Sequence, residues 1–314
     1  MNKLKVSSSP HIRANDTTAR IMLDVLISLL FPLVAGVVIF GLRALLVVAV
    51  TVASSVLSEF LFNIITKRKQ TVGDLSAIVT GVILALNLHA YAPIWQCVIG
   101  GVFAIIIVKC LFGGIGSNFA NPAATARVFL LVCFAKTLSG GAMPLGSGED
   151  VLVSSATPLV IFKTGGELPT ISDMFFGKIG GAIGETCTLA ILLGFLYLVI
   201  RRVINFETPL IYVATVFALS LVMEGSLMLA LYQVLGGGLA FGAVYMITDY
   251  STTPITRSGR MIFALGCGLM TFLIRYFGSY PEGVSFSIVF MNVISPYIEK
   301  WTAKIPFGKR GKIA

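Results

Sequence analysis

The sequence predicts an all-α integral membrane protein of about ten transmembrane helices, arranged as two inverted five-helix repeats. Three observations lead there. Of 314 residues, 56% are hydrophobic and the mean hydropathy is +0.93. Charged residues make up only 12%, about half of the roughly 25% found in soluble domains, so a water-facing surface cannot be built and a soluble globular enzyme is excluded. Apolar stretches recur between short polar breaks, many of them near the roughly 20 residues that a helix needs to cross the hydrocarbon core.

Taken in order, the chain begins with a polar arm, residues 1–20. The first apolar run after it lacks a small-residue cleavage site, which makes it a retained span and not a signal peptide. Spans are expected at 21–42, 44–66, 73–90, 93–112 and 119–137, the first repeat, and at 177–200, 208–224, 226–248, 259–277 and 284–300, the second repeat filling 177–300. Residues 138–176 form a long loop between the repeats, and 301–314 a basic tail that meets anionic lipid. With the N-terminus inside, sixteen Lys and Arg fall on the cytoplasmic side, among them Lys67, Arg68, Lys69, Arg201, Arg202, Arg257 and Arg260, against five outside, Arg43, Lys136, Lys163, Lys178 and Arg275. Both termini are therefore cytoplasmic and the long loop lies outside. The net charge of +9 is this cytoplasmic excess, and no nucleic-acid partner is expected.

An odd number of spans per half makes the second half enter the membrane from the opposite side. Gly81 to Ile94 (GVILALNLHAYAPI) and Gly242 to Ile255 (GAVYMITDYSTTPI) share a Gly, eleven residues and Pro-Ile, as related halves would. Phe112 to Ala124 (FGGIGSNFANPAA) and Leu235 to Pro254 (LGGGLAFGAVYMITDYSTTP) read as interrupted helices. Two readings stay open for them: non-helical backbone lining a cavity, or glycines that let helices pack closely.

Five cysteines stand singly in apolar stretches, without a CxxC pair, and neither His11 nor His89 has a neighbour at ligand spacing, so no metal site is expected. His89 is expected in a solvated outer turn. Ionisable groups at membrane depth mark function, since placing one there unpaired costs at least about 2.5 kcal/mol. They are Glu59, Arg127, Glu185, Glu224 and Asp249. Asp249 stands after the Gly-rich break as a cofactor or cation contact, or as a plain loop carboxylate. Arg127 grips a polar cofactor edge, or pairs with Glu185 or Glu59. Glu59 and Glu185 are expected to reach toward an interface along their stems, and Glu224 to be interfacial.

The N-terminal Ser9-Pro10-His11, the Gly-rich segment running into Phe119-Ala120-Asn121-Pro122, the Gly242-to-Asp249 run and the loop ending Ala156-Thr157-Pro158-Leu159 together resemble the family of Rnf-complex D subunits. These belong to a ferredoxin:NAD+ oxidoreductase and are related to the B subunit of the Na+-pumping NADH:quinone reductase. The likeness covers essentially the whole chain, and the short N-terminal arm favours the Rnf side. It implies FMN joined through its phosphate to Thr157, the last Thr of an (S/T)-x-Ala-Thr motif in which Ser154 and Ala156 hold their places. The family pattern has Asp six residues before the Thr and often Gly two before; here Asp150 stands seven before and Ser155 replaces the Gly. The resemblance further implies a non-covalent riboflavin, partner subunits A, B, C, E and G, a flavin transferase during maturation, Na+ or H+ as coupling ion, and a bacterial inner membrane. No Gly-rich nucleotide-binding unit or iron–sulfur cysteine spacing is present, so NAD and the clusters fall to other subunits. The competing expectations are the B subunit of the quinone reductase and a non-redox channel or secondary transporter of related fold.

Overall fold

The computed structural model describes residues 17–138, 141–144, 157–166, 168–278, 280 and 282–303, and these are helical, without a β-strand among them. Helix α1 (Thr18–Phe40) opens on Thr17, whose hydroxyl accepts the Arg20 backbone N–H at 3.3 Å. A single residue, Gly41, joins it to α2 (Leu42–Ile65) at φ 75°, a conformation that a side chain resists. There follow α3 (Ser76–Leu86), α4 (Ile94–Val102, continued by a π-helical segment Phe103–Cys110) and α5 (Pro122–Cys133). Short helices α6 (Ala135–Leu138), α7 (Pro158–Thr164) and α8 (Ile171–Phe176) fill the described part of the connection. The second half holds α9 (Thr188–Ile200), α10 (Glu207–Glu224), α11 (Leu227–Leu235), α12 (Leu239–Phe241, continued by a π-helical Gly242–Met246), α13 (Arg257–Phe277) and α14 (Val284–Thr302).

Four of these, α1, α2, α10 and α13, are long and apolar enough to cross a membrane. The pair α11–α12, bent by 62° at Gly236–Gly238, makes a fifth if counted as one span. The multi-pass, all-helical reading stands, while α3, α4, α5 and α9 are shorter than the spans expected there. At 177–200 the difference has a clear cause. Only Thr188–Ile200 is helical, and the strap before it spends its backbone donors elsewhere: Ile183 N–H on Leu88 O (2.9 Å), Gly184 N–H on Leu86 O (2.8 Å) and Gly181 N–H on Ala142 O (3.2 Å). With these groups satisfied by protein, non-helical backbone is tolerated at depth. A Cβ on Gly184 would stand 2.6 Å from Leu86 Cβ, so glycine is what admits the approach.

The molecule inverts the soluble pattern. Leu42, Ile65, Val222 and Trp301 are more than three-quarters exposed, whereas Thr51, Ser55, Ser58 and Glu59 on α2 are buried. Each α2 hydroxyl donates to a backbone carbonyl three or four residues earlier, as Thr51 does to Val47 O (2.8 Å) and Ser55 to Thr51 O (2.8 Å). That leaves a small-residue face against which α3 and α4 pack at Gly81 and Gly101. Within the second half α10 packs on α11 and α13, and α13 on α14; across the halves α1 meets α9 and α5 meets α14. The α1–α9 contact is held by Asp24, which takes Arg201 Nε (3.2 Å), Arg201 Nη2 (3.1 Å) and the Tyr197 hydroxyl (3.0 Å).

Candidate functional site

Polar residues gather at two places, near opposite ends of the bundle. The first lies where the two interrupted segments meet. In Phe112–Ala124, Gly113, Gly114 and Gly116 all take positive φ. A Cβ on Gly114 or Gly116 would touch nothing within 4 Å, so turn geometry and not close helix packing selects glycine there. The segment ends at Asn121, whose Oδ1 accepts the N–H groups of Ala123 and Ala124 (both 3.1 Å) and so caps α5, with Pro122 in the first helical position. Its amide reaches across to Met246 O (3.3 Å) and Asp249 Oδ2 (3.4 Å). Asp249 is already occupied locally, taking the Ser251 N–H (3.1 Å), the Ser251 hydroxyl (2.9 Å) and the Thr252 hydroxyl (3.3 Å). Beside this joint lies a cavity of about 100 Å³ bordered by Ser76, Lys109, Asn118, Asn121, Thr248 and Asp249. Asn118 Oδ1 is buried there without a partner. Replacing Asn121 by Ala removes the cap and the cross-link together, for which we expect a loss of about 1–2 kcal/mol, read as a lowered thermal midpoint in detergent.

On the same cavity wall, Lys109 Nζ donates to Glu59 Oε1 (3.0 Å), Glu59 Oε2 (2.9 Å) and Ser76 Oγ (2.5 Å), and the Thr71 hydroxyl donates to Glu59 Oε1 (2.6 Å). Glu59 and Lys109 are each 1% exposed. Glu59 thus neither reaches an interface nor pairs with Arg127: a buried ammonium meets it directly.

The second place is the end where α7 sits. Thr157 is the N-cap residue of α7, partly buried, and its side chain makes no capping hydrogen bond, so the helix start does not use its hydroxyl. Ser154 and Ala156 lie outside the described residues. Leu159, two residues on, packs over the break in the bent span, where added Cβ atoms on Gly236 and Gly237 would meet its side chain. Lys163 ties the other end of α7 to the end of α13, donating to Gly278 O (2.9 Å) and Tyr280 O (3.1 Å). Desolvation and the nearby Arg275 guanidinium lower the Lys163 pKa from its ordinary value.

Beneath the break, Arg275 donates to the carbonyls of Gln233 and Gly236. Glu282 Oε1 accepts the Gly238 N–H (2.8 Å), Glu185 Oε1 accepts the Ala182 N–H (2.9 Å), and Arg127 Nη2 lies 4.0 Å from Glu282 Oε2. Arg127 Nη1, Arg275 Nε and Gln233 Oε1 are buried without a partner.

Of the residues singled out from sequence, Thr157 and Arg127 therefore belong to one end and Asp249 to the other. Sequence reasoning missed Lys109 as a partner, Glu282 and Gln233, and counted Arg275 only as an outer charge. His89, expected in a solvated turn, is 9% exposed, with Nε2 2.7 Å from Thr137 O.

Comparison with known proteins gives one consistent result. The family model described as "NQR2, RnfD, RnfE family" matches residues 5–308. The D subunit of the Na+-translocating ferredoxin:NAD+ oxidoreductase complex of Acetobacterium woodii is 45% identical over 315 residues, covering 98% of this chain and 97% of that one. The D subunit of the proton-translocating ferredoxin:NAD+ oxidoreductase complex of Clostridium ljungdahlii is 36% identical over 323 residues, with 98% and 97% covered. The D subunit of an ion-translocating oxidoreductase complex of Stutzerimonas stutzeri is 36% identical, with 93% of each chain covered.

Proposed function

The chain belongs to the NQR2, RnfD, RnfE family, and from that premise we propose that it is the D-type membrane subunit of an ion-translocating ferredoxin:NAD+ oxidoreductase, carrying FMN on Thr157. The family likeness over almost the full length supports the complex. One observation supports the flavin position: Thr157 offers a hydroxyl that no helix cap uses, on a helix clamped by Leu159 and Lys163. A phosphoester needs only such an accessible hydroxyl, and the flavin when bound supplies one-electron chemistry. The chain's own part is to fix the attachment point against the bent span and to hold polar groups beneath it. Alone it is not the enzyme; NAD and the iron–sulfur clusters fall to partner subunits, and A, B, C, E and G complete the complex.

Ten crossings in two inverted halves fit this role. The pairing of α1 with α9 and of α5 with α14 supports it, since these lie in the first and last spans expected of each half. Each half also carries a π-helical segment followed by a polar break, a feature frequent at functional sites. In this arrangement both termini are cytoplasmic, Thr157 faces outward and the Asn121–Asp249 joint faces inward. The cavity at that joint, with the unpartnered Asn118 Oδ1 and the amide and hydroxyl groups around it, suits the polar edge of the non-covalent riboflavin. The coupling ion is Na+ or H+, the two named among the relatives.

The test is in-gel flavin fluorescence with peptide mass mapping on the denatured subunit, produced together with its flavin transferase. Fluorescence that maps to the Thr157 peptide is the expected result. A subunit made under those conditions that bears no flavin defeats the assignment.

A further inference from the structure

The cavity at the Asn121–Asp249 joint is polar on the side already described and apolar where α1 and α9 border it. Ile21, Met22 and Val25 come from α1, and Leu198, Val203 and Ile204 from the end of α9 and the turn after it. At about 100 Å³ the space is small beside the roughly 300–1,000 Å³ of sites that enclose an organic ligand. Such a ligand enters only when a wall moves.

Helix α1 is built to be that wall. Pro32, inside the helix, has no N–H to give to the Ser28 carbonyl one turn earlier. That carbonyl accepts the Tyr245 hydroxyl instead, at 3.0 Å, and Tyr245 borders the cavity. At the same level α1 lies close on α9, for a Cβ on Gly194 would stand 2.9 Å from Ser28 O. A gap in the helical ladder beside a point of close packing makes a hinge. One turn nearer the helix start, the Asp24 carboxylate accepts from Arg201 Nε, Arg201 Nη2 and the Tyr197 hydroxyl. Asp24 stands between Met22 and Val25, and Tyr197 and Arg201 stand on either side of Leu198. The three bonds therefore fasten one lip of the cavity to the other. Asp24 is 7% exposed but the Arg201 side chain is 41% exposed, so water reaches the latch from the Arg201 side and can take over its bonds.

We propose that the opening segment of α1, residues 18–28, is a gate on this cavity, hinged at Ser28–Pro32 and latched by Asp24 to Arg201 and Tyr197. The structure holds it closed. The ligand it admits is amphipathic, with a polar edge for the Asn121–Asp249 side and an apolar body for Met22, Val25 and Leu198. That this ligand is riboflavin rests on the flavin reading above; the hinge and the latch do not.

The test reads the gate without any flavin. In the purified complex carrying Thr248→Cys, a thiol on the cavity border, attachment of N-ethylmaleimide is timed by mass mapping of the peptide that holds position 248, which sets the five native cysteines aside. Added Asp24→Ala raises the rate about tenfold, because the acceptor of all three latch bonds is gone. Added Pro32→Ala lowers it, because a new N–H restores the ladder bond to Ser28 O and stiffens the hinge. A rate that Asp24→Ala leaves unchanged, or that Pro32→Ala raises, overturns the gate. If Asp24→Ala fails to co-purify with the complex, Tyr197→Phe decides, since it removes one latch bond: a smaller rise supports the gate and no rise overturns it. Riboflavin extracted from the wild-type complex separates the two claims. Gated labelling without riboflavin leaves the gate standing and sinks the cofactor reading, and riboflavin with ungated labelling does the reverse.

Discussion

Thr157→Ala is expected to remove the covalent flavin completely, while the subunit still folds and joins its complex. The two halves of that expectation have separate causes. Alanine has no hydroxyl, so no phosphoester can form, and the loss is all or none. The fold is spared because the Thr157 side chain makes no capping hydrogen bond that Ala would forfeit. The α7 start rests on Pro158, whose fixed φ suits the first helical turn, on the Thr157 carbonyl, which accepts from Val160 (2.8 Å) and Ile161 (3.0 Å), and on the Leu159 and Lys163 contacts, all of which the substitution leaves in place. Thr157→Ser, which keeps an oxygen in the same place, should retain flavin. In-gel fluorescence and intact mass of the denatured subunit measure the first half, and co-purification of partner subunits the second. Fluorescence undiminished in the Ala variant would move the attachment to another hydroxyl.

The long spans are legible in the sequence because hydropathy alone decides them: α1 and α2 are runs of 23 and 24 residues whose mean hydropathy stays high despite a few buried polar groups. The strap before α9 is not. It runs without a break into an apolar stretch, and the carbonyls of Leu86, Leu88 and Ala142, far away in sequence, take its donors and keep it from coiling. The same holds for the polar sites. Asn121 is visible inside Phe-Ala-Asn-Pro, since a cap residue followed by Pro signals a helix start locally. Its bond to Asp249, 128 residues on, has no local trace. Glu59 stands out as an ionisable group at depth, but its partner comes 50 residues later, and the chain offers several other cations. Glu282 escapes notice because it lies in a turn between spans, where a carboxylate reads as ordinary; the Gly238 N–H and Arg127 converging on it are properties of the folded chain.

Lys109→Met carries the largest expected cost in stability. The change keeps much of the stem's volume and apolar contact but strips Glu59 of its ammonium partner, with the Thr71 hydroxyl left as its remaining side-chain donor. Glu59 is 1% exposed, so its charge cannot turn to bulk water. Breaking a buried pair from one side costs about 3–5 kcal/mol, whereas replacing both partners by uncharged groups of similar shape is often neutral. The double variant Glu59→Gln, Lys109→Met should therefore recover most of what Lys109→Met loses, and Glu59→Gln alone should fall between them, because it leaves an ammonium that retains Ser76 Oγ as acceptor. Thermal midpoints of the three variants in detergent test this order. The cavity supplies the competing outcome: Lys109 borders the space next to Asn121 and Asp249, and if water reaches the pair through it, Lys109→Met would lose little and the double variant would recover nothing. A large loss that the second substitution repairs would instead place a dry, neutral ion pair at the wall of that cavity.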